Sequence, residues 1–135
     1  MELIDSSAWI EYLRGTGSRA NVEVRQLVRG GLGSVVTTEP VVMELLAGAT
    51  DDHRLARLER LTDGLRLLPV DAGLDYRQAA LAFRAVRAGG YTVRRLLDCL
   101  IAAVALRNGA TLVHRDRDFD LLGAALPELQ VRSLL

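Results

Sequence analysis

Short apolar runs alternate with longer stretches of helical periodicity along the whole chain. The apolar runs predict strands over residues 2–5, 34–37, 65–70, 111–114 and 129–132. The periodic stretches, with their capping residues, predict helices over residues 6–14, 19–28, 38–47, 52–61, 72–88, 95–107 and 119–122. Strands that alternate with helices are typical of a parallel sheet covered on both faces. The pattern therefore predicts an α/β fold with a central parallel sheet of about five strands, formed as a single domain by residues 1–135.

The composition narrows the class of protein without indicating a ligand. Half of the residues are hydrophobic and the formal net charge is zero, so overall charge gives no sign of nucleic-acid binding. All 17 basic residues are Arg, because the chain contains no Lys. The single cysteine, Cys99, excludes an internal disulfide, and no apolar run has the length of a membrane span. Without a signal-like leader, we expect a cytoplasmic protein with no membrane association.

Four acidic residues lie in apolar surroundings, where an unpaired carboxylate is costly. Asp5 ends the first predicted strand, and Asp116 follows the fourth. Glu44 is the only charge within residues 40–49, and Asp98 is the only charge within residues 96–106. Ligands of open parallel sheets bind beyond the carboxyl ends of the strands, and helical side chains lean toward their helix N-terminus. We therefore expect all four carboxylates to converge on one cleft.

Converging carboxylates repel one another unless a cation shares the cleft. Oxygen ligands, few histidines and no paired cysteines favour Mg²⁺, with Mn²⁺ as a substitute, over Zn²⁺. Ions in such a site activate water and stabilise charge on a phosphodiester.

The charged segment at residues 114–120 and the residues before the sixth helix offer further candidates. Asp118 is a candidate fifth ligand or an outer base. Guanidinium groups suit phosphate oxygens, so four arginines are candidate phosphate contacts. They are Arg94, Arg95, Arg115 and Arg117.

Four acidic motifs, in this order, resemble those of PIN domains. Residues 3–9 (LIDSSAW) resemble the opening motif, in which the Asp binds metal and the hydroxyl residue two positions later, here Ser7, supports the site. Residues 40–48 (PVVMELLAG), 98–103 (DCLIAA) and 114–119 (HRDRDF) resemble the second, third and fourth motifs. The compact size and the Asp-x-Asp-Phe ending are most similar to the VapC toxins of bacterial toxin–antitoxin pairs.

The resemblance implies a PIN-like three-layer αβα sandwich with the activity of a Mg²⁺-dependent endoribonuclease toxin. Such a toxin cleaves structured RNA, a tRNA or a ribosomal RNA loop, and thereby inhibits translation in the bacterial cytoplasm. The resemblance also implies a homodimer and a VapB-type antitoxin that occludes the site. The catalytic residues would be Asp5, Glu44, Asp98 and Asp116, and the metal ligands the same four with Asp118. The substrate-binding residues would be Ser7, Arg94, Arg95, Arg115 and Arg117.

Other interpretations remain open at this point. Asp5 and Asp116 would also serve as helix caps, Asp98 would also pair with a buried Arg, and His114 would either contact RNA or hydrogen-bond at its strand end. A phosphoryl-accepting domain is disfavoured, because the families of that kind require a Lys that this chain lacks. Two alternatives remain. One is a non-catalytic PIN-like dimerisation or RNA-binding module, and the other is a housekeeping PIN nuclease without an antitoxin.

Overall fold

Five parallel strands and seven helices make up the fold in the computed structural model, which describes residues 1–135. The strands are β1 Glu2–Ile4, β2 Val35–Thr37, β3 Arg66–Leu67, β4 Thr111–His114 and β5 Val131–Ser133. The helices are α1 Ser6–Arg14, α2 Arg19–Arg29, α3 Glu39–Ala47, α4 Asp52–Asp63, α5 Asp75–Ala88, α6 Leu96–Asn108 and α7 Arg117–Ala125. The predicted α/β fold with a five-stranded parallel sheet is confirmed. None of the helices combines the length and apolar character that a membrane span requires.

The sheet has the strand order β3-β2-β1-β4-β5, with β1 at its centre. Leu3 of β1 lies between Val36 of β2 and Leu112 of β4, and all three side chains are buried. The chain moves from β1 to β2 on one side and later to β4 on the other. This reversal leaves a crevice beyond the carboxyl end of the central strand, which is where parallel sheets bind ligands.

The core continues from the sheet into α6, which is apolar around its whole circumference. Every residue of the segment 98–105 is buried, because α6 packs against α3, α5 and α7 as well as the sheet. Trp9 of α1 and Phe119 of α7 are the largest fully buried side chains and pack into the same core. Asp98 is the one acidic residue of the buried stretch of α6, which fixes its carboxylate against the sheet edge.

The third strand is shorter than the predicted span of residues 65–70. The N–H of Leu68 still donates to the Thr37 carbonyl over 2.7 Å, but the next residue is Pro69, which has no N–H to continue the ladder. The N–H of Val70 then donates to Oε1 of Glu39 at 2.8 Å, so the chain leaves the sheet. Only Arg66–Leu67 is strand.

Three other elements have boundaries that differ from the prediction for local reasons. Helix α5 begins at Asp75 instead of residue 72, because a turn closed by the Asp71 carbonyl precedes it. Helix α7 extends beyond the predicted residues 119–122 to Arg117–Ala125, since Asp116 caps its first turn. Strand β5 begins at Val131 instead of residue 129, because the N–H of Leu129 donates within a turn to the Leu126 carbonyl.

Candidate active site

Asp5 lies at the carboxyl end of β1 and is fully buried. Its Oδ2 accepts a hydrogen bond from the N–H of Ser7 at 2.9 Å, so the carboxylate caps α1 as one interpretation of the sequence expected. Its Oδ1 is buried as well and has no hydrogen-bond partner. Burial raises the pKa of Asp5, although the hydrogen bonds from Ser7 oppose this. Capping therefore accounts for only one of the two oxygens.

Glu44 projects from α3 and shares its two oxygens between two donors. The Ser6 hydroxyl donates to Oε1 at 3.1 Å, and Nη1 of Arg95 donates to Oε2 at 3.2 Å. Burial, followed by the nearby charge of Asp5, raises the pKa of Glu44. The side chain remains 16% exposed, so it is partly accessible to solvent.

Asp98 is fully buried, and only one of its two carboxylate oxygens has a hydrogen-bond partner. Nη2 of Arg95 donates to its Oδ1 at 3.3 Å, whereas its Oδ2 is buried without a partner. Burial raises the pKa of Asp98 to about 7; Arg95 opposes the shift, and the charges of Asp5, Asp116 and Glu44 add to it. In the absence of a cation, Asp98 is therefore only partly ionised at neutral pH.

Asp116 and Asp118 come from the loop after β4 and the first turn of α7. Asp116 caps α7 by accepting the N–H of Asp118 at 3.0 Å, and both of its oxygens accept from Nη2 of Arg94 at 2.8 and 2.9 Å. Burial would raise the pKa of Asp118, but hydrogen bonds from the backbone and side chain of Arg94 outweigh it, so this pKa is lowered. One oxygen from each of Asp98, Asp116 and Asp118 lies within 4.8 Å of the others.

The five carboxylates form one group, which we call the acidic cluster. Asp98, Asp116 and Asp118 meet directly, and Arg95 joins them to Glu44. Asp5 lies near enough for its charge to raise the pKa of both Asp98 and Glu44. The structure thus places three of the expected carboxylates within ligand spacing of one another and the other two, Asp5 and Glu44, near them.

The predicted substrate-binding residues occupy different environments. Arg94 and Arg95 form ion pairs with carboxylates of the acidic cluster, so both guanidinium groups have partners within the protein. Nη1 of Arg115 donates to Glu11 at 2.7 Å, and only Arg117 is exposed without an ion pair. The Ser7 hydroxyl accepts the backbone N–H of Arg115 at 3.0 Å, which fixes the loop after β4.

A cleft of about 540 Å³ opens beside the acidic cluster. Charged side chains from the loop after β4 and from the segment before α6 form most of its wall. Its lining comprises Thr92, Arg94, Arg115, Asp116, Arg117, Asp118 and Leu135. The cleft therefore joins carboxylates that suit a cation to guanidinium groups that suit a phosphate.

Ser6 and His114 also support the site, and only the contact of His114 was among the interpretations of the sequence. Ser6 donates to Glu44 across a sequence separation of 38 residues, and no local pattern indicates such a contact. His114 is fully buried, and its Nδ1 accepts the N–H of Asp116 at 3.1 Å. Of the two roles left open for His114, the structure favours hydrogen bonding at the strand end over contact with RNA.

The donor set of the acidic cluster fits a hard divalent cation. Buried polar atoms without partners are rare in folded proteins, and Oδ1 of Asp5 and Oδ2 of Asp98 are two such atoms at one site. Burial, with the charges of the neighbouring carboxylates added to it, raises the pKa of Asp98, and a cation bound by the cluster would oppose both effects. All the side-chain donors of the cluster are carboxylate oxygens, which is the donor type that Mg²⁺ and Mn²⁺ prefer.

Comparison with known proteins gives consistent matches over nearly the whole chain. The model of the PIN domain family matches residues 3–124. The chain is 52% identical over 133 residues to a VapC ribonuclease, Mb1587, from Mycobacterium bovis, covering 98% of both proteins. It has the same identity and coverage to ribonuclease VapC11 from Mycobacterium tuberculosis.

Solved structures with the same fold include toxin–antitoxin complexes. VapBC2 from Rickettsia felis, bound to a promoter DNA fragment, aligns with a TM-score of 0.74 at 15% identity, covering 98% of this chain and 97% of the other. VapC20 from Mycobacterium tuberculosis, described as a sarcin–ricin loop cleaving toxin, aligns with a TM-score of 0.67 at 22% identity, covering 91% and 95%. At these identities the matches establish the fold.

Proposed function

The chain belongs to the PIN-domain family, and from this premise we propose that it is the VapC-type toxin of a type II toxin–antitoxin system. In this proposal residues 1–135 act as one PIN domain, a metal-dependent endoribonuclease that cleaves structured RNA, a tRNA or an rRNA, and so inhibits translation. The observation that carries the proposal is the set of three carboxylates with ligand spacing, Asp98, Asp116 and Asp118, together with the buried, unpartnered oxygens of Asp5 and Asp98. The 52% identity to named VapC ribonucleases supports the same activity.

Mg²⁺ is the proposed cofactor, with Mn²⁺ as a substitute. Its ligands would come from the acidic cluster: Asp5, Glu44, Asp98, Asp116 and Asp118. When bound, the ion would activate a water molecule and stabilise charge on the scissile phosphate.

A residue of the acidic cluster would accept a proton, and arginines of the cleft would bind the substrate. Burial and the charge of Asp5 already raise the pKa of Glu44, and its side chain is partly exposed, so Glu44 fits the role of proton acceptor for the attacking water. Arg117, which has no ion pair, would contact a substrate phosphate, and Arg115 would do so beside it. Hydrolysis of this kind leaves 5′-phosphate and 3′-hydroxyl ends.

We also propose that the chain forms a homodimer and is inhibited by a VapB-type antitoxin that occludes the cleft. The support is indirect: solved structures with this fold include several VapBC complexes. A protein that cleaves tRNA or rRNA has its substrates in the bacterial cytoplasm, which is the proposed location.

The decisive experiment compares RNA cleavage by the purified chain in Mg²⁺ and in EDTA. Asp98→Asn should lose at least about two orders of magnitude in rate, in the range seen when one catalytic group is removed. Asp52→Asn is the matched control, because Asp52 is exposed in the first turn of α4 and makes no ion pair. It should cleave like the wild type.

Mapping the ends of the products tests the chemistry independently. Cyclic phosphate ends, or full activity in EDTA, would contradict the proposed hydrolysis. RNA binding without cleavage in any divalent metal would instead favour the non-catalytic module. Mapping new 5′ ends in total RNA after brief induction would identify the substrate.

A further inference from the structure

Arg95 touches three carboxylates of the acidic cluster. Its Nη1 lies 3.2 Å from Glu44, and its Nη2 lies 3.3 Å from Asp98 and 3.9 Å from Asp116. We propose that this guanidinium takes the place of a second metal ion, so that the chain binds one divalent ion and Arg95 supplies the other positive charge to the phosphate. The inference rests on the divalent metal of the proposed function.

The oxygens of the cluster differ in whether they already have a partner. Oδ1 of Asp5 and Oδ2 of Asp98 are buried and have no donor. Oε2 of Glu44 and Oδ1 of Asp98 already accept from Arg95. The unpartnered oxygens are therefore open to an ion, whereas a guanidinium already occupies the others.

Arg94, the neighbouring arginine, is held more tightly by its carboxylate partners than Arg95. Arg94 makes three contacts of 2.8 to 2.9 Å to Asp116 and Asp118, and its backbone N–H also donates to Asp118. These contacts hold the loop after β4 in place. Arg95 makes longer contacts, so its guanidinium is the one free to adjust when an ion or a phosphate arrives.

The balance of charge also favours one ion. Five carboxylates face two guanidinium groups, which leaves three negative charges when every acid is ionised. One divalent ion leaves a single negative charge, whereas two ions would make the group positive before any substrate binds. Two-ion sites hold their ions about 3.5–4 Å apart and need carboxylates placed between them. Asp98, which is buried, already has one oxygen on Arg95 and so has only the other oxygen free for an ion.

The backbone explains why Arg95 reaches this position. It is the residue before α6, with extended backbone angles, and it lies three residues before Asp98. Its side chain therefore folds back over the first turn of the helix. A guanidinium has five N–H donors, and Arg95 uses two hydrogen bonds while its side chain is 51% exposed. Donors remain for a phosphate oxygen.

Counting bound Mn²⁺ ions on the metal-free chain tests this inference. Free Mn²⁺ measured by electron paramagnetic resonance during a titration should give one ion per wild-type chain and two per Arg95→Gln chain. Arg117→Gln is the matched control, because it removes the same charge from the cleft beside the acidic cluster, but Arg117 makes no ion pair with a carboxylate. It should bind one ion. Loss of any nearby positive charge tightens binding, so the number of ions is the readout and affinity is not.

Each outcome decides the question. Two ions on the wild type, or one ion on folded Arg95→Gln, would overturn the role of Arg95 while the proposed nuclease stands. No Mn²⁺ on the wild type would overturn both. Should Arg95→Gln not fold, Arg95→Lys keeps the charge and should bind one ion, and two ions on that variant would also contradict the proposal.

Discussion

Nδ1 of His114 accepts a hydrogen bond from the backbone N–H of Asp116, over 3.1 Å. The ring is fully buried at the end of β4, packs against Phe119 with centroids 5.3 Å apart, and has its Nε2 3.2 Å from Asp120. Burial lowers the pKa of His114, although the charge of Asp120 opposes this. An Nδ1 that accepts belongs to the neutral imidazole, so the ring holds the Asp116 loop in its uncharged form.

Removing this acceptor should loosen the loop that presents Asp116. His114→Leu fills similar space but accepts no hydrogen bond, so we expect a loss of about 1–3 kcal/mol in the free energy of unfolding. Metal affinity should fall too, because Asp116 and Asp118 follow directly. His114→Asn places an oxygen near the position of Nδ1 and should recover part of both losses. Urea unfolding measures the loss of stability, and Mn²⁺ titration measures the loss of metal affinity. Equal losses in His114→Leu and His114→Asn would argue against the hydrogen bond.

Asp98 should make the metal-free protein less stable as the pH rises. Its pKa is about 7 in the folded state against an ordinary value of 3.8, so the folded chain holds the proton more tightly. The protonated Asp98 stabilises the folded state fully at pH values below the pKa of the unfolded chain. This stabilisation is lost as the pH rises through the pKa of the folded chain. The slope is at most about 1.4 kcal/mol per pH unit. Asp98→Asn should reduce this slope, and the difference is measured by urea unfolding in EDTA between pH values of about 4 and 8. Parallel curves for both proteins would refute the shift.

Divalent metal should stabilise the folded chain at neutral pH. A ligand at one hundred times its Kd adds about 2.7 kcal/mol, which corresponds to a rise of several degrees in Tm. The rise should be smaller at acid pH, where protons compete for the carboxylates. Asp98→Asn should lose most of it, and Asp52→Asn should retain it. Wild-type melting curves that coincide with and without Mg²⁺ or Mn²⁺ would exclude a metal shared by the cluster.

Helix α7 depends on a glycine at its contact with the edge strand β5. A Cβ at Gly123 would lie 2.8 Å from Cγ2 of Val131, closer than packed atoms allow. Gly123→Ala should therefore cost about 1–3 kcal/mol by overpacking, in spite of the gain in helix propensity of about 1 kcal/mol. Val131→Ala opens the space, so the alanine at position 123 should cost less in that background. A double-mutant cycle by urea unfolding checks this; additive costs would contradict the clash.

The carboxylates could be identified from the sequence because each is expensive where it lies. Glu44 and Asp98 interrupt apolar helices, and their burial in the structure follows from those helices packing against the sheet. The parallel order of the strands was likewise implied by their alternation with helices. Such features depend only on local pattern and on general rules of packing.

The partners of these carboxylates depend on contacts that no local pattern encodes. Arg95 meets Glu44 across 51 residues of sequence, and Arg94 meets Asp118 across 24. The position of Arg94 and Arg95 before α6 indicated phosphate contacts, but nothing in the sequence indicates that they pair with these carboxylates. The length of β3 was mispredicted for a different reason: the apolar run continues past Leu67, but the N–H groups needed for pairing do not.

Because β1 lies at the centre of the sheet, its neighbours β2 and β4 come from opposite halves of the sequence, and the acidic residues come with them. No fragment that omits one of these stretches retains the full set of acids. The capacity to cut RNA would consequently be all-or-none, present only in molecules that have folded completely. A protease or chaperone that captures a partly opened chain would thus silence it without ever approaching the pocket.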